Sequence, residues 1–363
     1  MEVLEKRLGL SFLVGLGPIR VKYLLSKLND LDELYQGSLL HLKKITGFSE
    51  SVLSQLNRKE AIEQAKRELE YCSREGIKPL FFDDDAYPRR LKQCPDAPIV
   101  LYHKGATDLN HRRMVSVVGT RNFTPYGKSL VHELIQGLSQ AGVCVVSGLA
   151  LGIDALAHEE ALNLKIPTIG VLGHGLSTIF PRKNLRLAEE ILSQNGSLVS
   201  EYSFNSLPIK EHFALRNRIV AGLSDALIVV ESKTRGGSLI TASFANDYHR
   251  EVFAFPGSIR QECSAGCNDL IKEHKAHLIT SSDDVLSMMN WQTQGPSQQL
   301  SMAFLPTETE SLILSTLKRY ESVFIDELVQ LTQLSASTLQ VNLLGLQLKN
   351  VVLALSGNRY AIR

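Results

Sequence analysis

Short hydrophobic runs separated by longer amphipathic stretches recur from about residue 113 to residue 280. They read MVSVV (114–118), VCVVS (143–147), PTIGVL (167–172), SLVS (197–200), ALIVV (226–230), EVFAF (251–255) and AHLIT (276–280). β-Branched residues crowd these runs and apolar side chains occupy both alternate positions, as in strands covered on both faces. The intervening segments are long enough for crossover helices, so the pattern predicts an α/β fold with a doubly wound parallel sheet. Residues 71–110, with the turn-forming DDDAYPRRL and the short apolar run of DAPIVLYHKG, extend the same unit, which spans 71–288. The triplet Asp83-Asp84-Asp85 reads as a solvated loop beside a Tyr-Pro turn.

The flanks follow other periods. Residues 1–70 show no strand pattern; two glycine turns, VGLGP (14–18) and ITGFS (45–49), stand about thirty residues apart between helical stretches. That spacing fits paired helix-hairpin-helix units, whose turns expose N–H groups to a phosphate. It fits equally a small bundle whose glycines only cap helices. Residues 289–303, rich in Gln, Ser and Gly, read as a linker. Residues 304–363 predict helices near 308–319, 324–333 and 336–349, then strands at VVLAL and RYAIR, the order of a winged helix. The third helix, ASTLQVNLLGLQLKN, carries Lys349 as its one cation, which favours a protein-interaction role over groove reading.

Composition changes this picture little. The 363 residues are 44% hydrophobic and 21% charged, and 39 Lys plus Arg nearly cancel 38 Asp plus Glu. Overall charge therefore offers no argument for a nucleic-acid partner, and any such argument rests on where the cations sit. No apolar stretch approaches a membrane span and the N-terminus lacks the features of a signal peptide. Five scattered cysteines, an odd number, fit a reducing cytoplasm. Cys263 and Cys267 with His274 and His277 are the one set that suggests zinc, but the Cys spacing is loose and no second pair follows. No metal or cofactor is expected.

One stretch nearly spells an ATPase loop: VVGTRNFTPYGKS, residues 117–129. In the phosphate-cradling motif four residues separate the glycine from Gly-Lys-Ser, whereas seven separate Gly119 from Gly127 here. Thr124 suits an N-cap and Pro125 the first helical position, so the helix begins there and Gly127-Lys128-Ser129 falls inside it. The strand-to-helix turn is then Gly119-Thr120-Arg121. Glu231, the acid at the end of another strand, precedes a basic glycine-rich loop suited to an anion more than to magnesium. Neither GTRNFTPYG nor SGLALGID matches a dinucleotide fingerprint.

Ligands of such sheets bind at the carboxyl ends of the strands. The loops there bring Arg121, then Ser147-Gly148-Leu149-Ala150, then Arg182, Lys183 and Arg186, then Lys210, Arg216 and Arg218, then Lys233 and Arg235. Many acids, among them Glu133, Glu159 and Glu189, fall in the crossover helices. A nearly neutral domain thus carries one basic edge, which matches a polyanion better than a small phosphate. Phe213, three residues after Lys210, is either an aromatic platform for a base or, sharing a helical stripe with Val220 and Leu223, a core residue. Asp154 and His158, four apart on one helix, read as a dipole-compensating acid and a locally bonded histidine more than as an acid–base pair.

At this point the chain resembles the DprA (Smf) DNA-processing proteins of bacteria. The matching segments are VVGTRNFTPYG, VVSGLALGIDALAHEEAL, GHGLSTIFPRKN, SEY, HFALRNRIVAGLSDALIVVES, RGGSLITASFA, VFAFPGS and GCNDLI, in the family's order over about 170 residues. The flanking segments resemble that family's helical module and winged helix. The resemblance implies an extended Rossmann domain that binds single-stranded DNA, forms homodimers and loads RecA onto incoming DNA in natural transformation, without enzymatic activity. Carried over by motif, Gly119, Thr120 and Arg121 are the family's G-[ST]-R turn, and Lys210 and Phe213 its K-x-x-F pair. Arg182 and Lys183 follow its aromatic-Pro turn, with Phe180 where the family more often has Tyr. The rival reading is a Rossmann phosphoribohydrolase, whose P-G-G-x-G-T-x-x-E segment RGGSLITASFA partly matches. Leu239-Ile240 replaces the glycine before Thr241 and the closing glutamate is missing, which argues against hydrolysis.

Overall fold

The structure is a computed structural model, and it describes residues 3–291, 306–320, 322–349 and 351–362. The stretch expected to be a linker, 289–303, lies mostly outside the described residues.

Nine strands form one sheet: β1 (Lys78–Phe81), β2 (Val100–Gly105), β3 (Met114–Val118), β4 (Cys144–Ser147), β5 (Thr168–Leu172), β6 (Ser197–Ser200), β7 (Ala226–Val229), β8 (Glu251–Ala254) and β9 (His277–Leu278). Their spatial order is β1-β2-β6-β5-β4-β3-β7-β8-β9. From β6 to β9 all neighbours are parallel, and β2 and β1 extend the β6 edge antiparallel. The chain winds outward from β3 through β4 and β5 to β6, then restarts on the other side of β3 with β7. β3 and β7 therefore bound the topological switch point, where the loops leaving two neighbouring strands diverge and open a crevice.

The two-faced apolar pattern is resolved into two cores. Met114 and Val118 of β3, Cys144 and Val146 of β4, and Leu227 and Val229 of β7 face one layer of helices. Val115, Val117, Val145, Ala226 and Ile228 face the other. Ser116, buried at the centre of β3, is tolerated because its hydroxyl bonds the Val220 carbonyl at 2.7 Å and pairs with Ser224.

The helix after β3 runs Pro125–Ser139, with the Thr124 hydroxyl accepting from Gly127 N–H at 3.2 Å. Gly127-Lys128-Ser129 therefore lies in the first turns of a helix. Glu231 completes this start: its carboxylate accepts from the Thr124 amide at 2.9 Å and from the Thr124 hydroxyl. A side chain at residue 127 would collide with that carboxylate, so Gly127 is glycine for packing and not for phosphate.

Residues 3–75 form short helices around a common apolar centre of Leu8, Leu24, Leu34, Leu42 and Leu53, ending in the long helix Arg58–Glu75. Gly15 and Gly47 take left-handed backbone in the two glycine turns, at φ +79° and +69°. This centre is continuous with Tyr102, Leu172, Leu198 and Phe204 at the β6 side of the sheet, so the helices share a core with it. The C-terminal segment has helices Glu308–Leu317, Ile325–Thr332 and Ala336–Leu348 with strands β10 (Val323–Phe324), β11 (Val352–Leu355) and β12 (Arg359–Ile362), around a core of its own. Lys349 bonds Glu310 at 2.7 Å.

This tail docks at the amino ends of β3 and β7 through Asp225, which is fully buried. Asp225 accepts from Arg90 Nε and Nη2 at 2.7 and 2.9 Å, from the Met114 amide at 3.0 Å, and from Arg359 of the tail. Burial opposes its charge, yet the two guanidiniums outweigh that and hold its carboxyl below the ordinary value. Removing the carboxylate strands two buried cations, so Asp225→Ala should lower the unfolding free energy by roughly 3–5 kcal/mol, measured by urea denaturation.

Candidate nucleic-acid interface

A cleft of about 440 Å³ occupies the switch point. One wall is the turn after β3, Gly119-Thr120-Arg121; the opposite wall is the loop after β7 and the start of helix Gly237–Asp247, with Lys233 and Arg235. The third side is helix Lys210–Leu223, which presents Lys210, Phe213, Arg216 and Asn217. Arg121, Lys210, Lys233 and Arg235 are exposed. Asp154 is the only acid among the described lining residues, against five cations.

The turn after β3 is fixed by close backbone contact. A Cβ on Gly119 would lie 2.6 Å from Ile153 Cγ1, and Gly152, at φ +89°, leaves no room for one against Thr120 and Arg121. Ile153 N–H then bonds the Thr120 carbonyl at 3.1 Å and Thr120 N–H bonds the Glu231 carbonyl at 2.8 Å. Arg121 therefore projects from a turn that its neighbours hold in place.

Phe213 is half-buried and satisfies both readings of its stripe. Its ring packs over Gly173, stands 5.6 Å from Phe180 and 6.4 Å edge-on to His174, and still lines the cleft three residues from Lys210. A platform braced on one side and open on the other holds a base at little entropic cost. Arg182 and Lys183 are exposed on the short turn that follows Phe180-Pro181, outside the residues that line the cleft.

Arg216 and Arg218, grouped with the phosphate-holding cations on sequence grounds, are both buried, Arg216 within the cleft lining and Arg218 outside it. Arg216 is 5% exposed and donates to the carbonyls of Gly148, the first residue after β4, and Val171, next to last in β5. Asp154 lies beside it and accepts from Gly148 N–H at 3.1 Å. Burial drives the Asp154 carboxyl up and the Arg216 guanidinium down, and each partly offsets the shift of the other. Arg218 is 7% exposed and paired with Glu201 after β6. Arg216 thus forms the floor of the cleft, and Arg218 braces the next loop. The signal for Arg216 was in the sequence: it sits in the Phe213–Val220 stripe, which faces the protein.

The other candidate chemistry resolves into structure. His158 is fully buried with Nδ1 2.7 Å from Thr168 Oγ1; that hydroxyl donates to the Val145 carbonyl at 3.0 Å, so the histidine is the donor. Cys267 is buried against the Val229 carbonyl, and Cys263 reaches the Asn122 carbonyl instead. Among the described residues no three His, Cys, Asp or Glu side chains converge as a metal set, and no helix is long and apolar enough to cross a membrane.

Burial, reinforced by Arg216, brings the His158 pKa down to about 3. Between its unfolded value near 6.5 and about 3 only the unfolded chain binds this proton. Stability present above pH 6.5 is therefore lost on acidification, by roughly 1.4 kcal/mol per pH unit. Unfolding free energies measured across that range should fall less steeply in His158→Gln.

Comparison with known proteins fits this geometry. Residues 78–290 match the model of the family described as DNA recombination-mediator protein A. Protein Smf of Synechocystis sp. is 32% identical over 98% of both chains. DNA processing protein DprA of Streptococcus pneumoniae is 46% identical over 56% of this chain and 71% of its own. The solved structure of the S. pneumoniae protein superposes with a TM-score of 0.65 at 36% identity, over 79% of this chain and 98% of that one. The DNA processing protein A of Helicobacter pylori, solved for its single-stranded DNA binding mode, superposes with a TM-score of 0.54 at 32% identity, over 59% and 95% of the two chains.

Proposed function

The chain belongs to the DNA recombination-mediator protein A family, and from that premise we propose that it binds single-stranded DNA in the switch-point cleft and hands the strand to the recombinase RecA in natural transformation. The observation that carries this reading is the cleft itself: exposed Arg121 and Lys210 flank a braced, half-open Phe213, above a floor whose single acid is already matched by Arg216.

In this reading Arg121 and Lys210 hold phosphates, Gly119 and Thr120 set the turn that aims Arg121, and Phe213 stacks a base. Arg182 and Lys183 extend the track beyond Phe180. Cations that hold phosphates and an aromatic face that stacks any base make binding tolerant of sequence and sensitive to salt. Contacts confined to one cleft leave most of the strand open for recombinase to assemble on, and a homodimer through the sheet domain would present two such clefts. The helical segment 1–70 and the tail 304–363 are accessory to this core function of 71–288. Against the hydrolase alternative stands Asp154, the one acid among the described lining residues, which is buried and bonded to the Gly148 amide beside Arg216.

Arg121→Ala and Lys210→Ala should each weaken single-strand binding alike for all sequences and reduce the salt slope by about one. Phe213→Ala should cost roughly 1–3 kcal/mol with the salt slope retained. Gel shifts of single- and double-stranded DNA across a salt series measure both; undiminished affinity in the Arg121 and Lys210 variants would remove this site from consideration.

A further inference from the structure

Past Arg121 the turn after β3 carries apolar side chains that the proposed DNA contacts leave unused. Phe123 is exposed, and so is Tyr126 in the first turn of helix Pro125–Ser139. Ile259, in the loop after β8, is 92% exposed, more than any other large hydrophobic side chain among the described residues. Exposed apolar groups that gather in one place and are rimmed by polar ones mark an interaction surface.

Both ends of the β8 loop are tied to that turn. The Tyr126 hydroxyl donates to the Pro256 carbonyl at 2.8 Å, and the Cys263 thiol reaches the Asn122 carbonyl at 3.8 Å. Residues 256–263 therefore lie along the turn, with Ile259 and Arg260 in mid-loop. Tyr126, bonded at its tip, keeps a fixed ring for an incoming group to pack on. Arg121 and Arg260 are the exposed cations of the two loops. The acids of the neighbouring segments are already engaged: Glu231 is buried on Thr124, and Glu262 stands 2.7 Å from Lys233.

Resting on the reading of the cleft as a single-strand site, we infer that the strand continues past Arg121 over this strip, with bases against Phe123, Tyr126 and Ile259 and phosphates at Arg121 and Arg260. Arg121 belongs to cleft and strip alike, so the two surfaces are continuous. Aromatic faces beside cations of one sign suit a polyanion whose bases stack without regard to sequence. Three side chains are too small an area for a stable protein contact, which buries about 800 Å² on each partner.

The test uses the full-length protein with oligothymidylates of about four and about twelve nucleotides, the shorter sized for the cleft and the longer for cleft and strip. In Phe123→Ser/Ile259→Ser the affinity for the longer strand should fall roughly tenfold or more, with the salt slope retained and the affinity for the shorter strand unchanged. Both side chains are exposed, so the variant keeps its fold, which a thermal melt checks. Phe123→Tyr, which keeps an aromatic face, should bind both strands as the unaltered protein does.

Failure of the cleft reading would show separately, as undiminished binding of the short strand by Arg121→Ala/Lys210→Ala. For the strip, unchanged affinity for the longer strand in the serine variant would overturn the assignment, as would an equal loss for both lengths. So would a change in the sedimentation of the protein with DNA binding intact, which marks a contact between copies of the chain.

Discussion

The site depends on one buried guanidinium at the floor of the cleft. Arg216 reaches from helix Lys210–Leu223 into the protein and holds the carbonyls of Gly148 and Val171, near the carboxyl ends of two neighbouring strands. Asp154, on the helix after β4, offsets its charge and accepts from Gly148 N–H. Gly148 has to be glycine because a Cβ there would strike the guanidinium. One buried charged pair therefore fixes where helix Lys210–Leu223 stands over the sheet, and with it the positions of Lys210 and Phe213. Charges buried this way contribute little net stability, and their role here is registry.

The doubly wound topology supplies the rest. Because β3 and β7 are adjacent and their loops leave in opposite directions, Arg121 and the Lys233–Arg235 loop face each other across an opening that no helix fills. The domain stays near neutrality because its acids serve elsewhere. Glu160 is paired with His132 and Glu133 with Ser129 on crossover helices, Glu201 with Arg218, and Glu231 caps the helix after β3. Field at the cleft thus arises from segregation of charge and not from an excess of it.

The two ends of the sheet repeat one device in different settings. At the carboxyl ends a buried acid and a buried arginine organise an open cleft. At the amino ends Asp225 with Arg90 and Arg359 joins the tail to the sheet domain. The difference lies in what covers them: exposed loops in the first case, a second folded unit in the second.

Much of this was legible in the chain. Apolar runs on both faces dictated a parallel sheet, and Thr124-Pro125 dictated a helix start that turns GKS into helix and leaves Arg121 on the turn, because capping and φ restriction are local. The antiparallel strands β1 and β2 were legible only as an extension of the sheet domain, since their pairing depends on which edge of the sheet is free. Arg216 and Arg218 read as surface cations because charge was weighed above helical phase, and which face of a helix is buried is decided by what packs on it. That Glu231 forbids a side chain at Gly127, that Phe213 is braced and open at once, and that Asp225 meets an arginine 134 residues away were decided only by tertiary structure. These are contacts between distant segments, and no local pattern encodes the distance at which they meet.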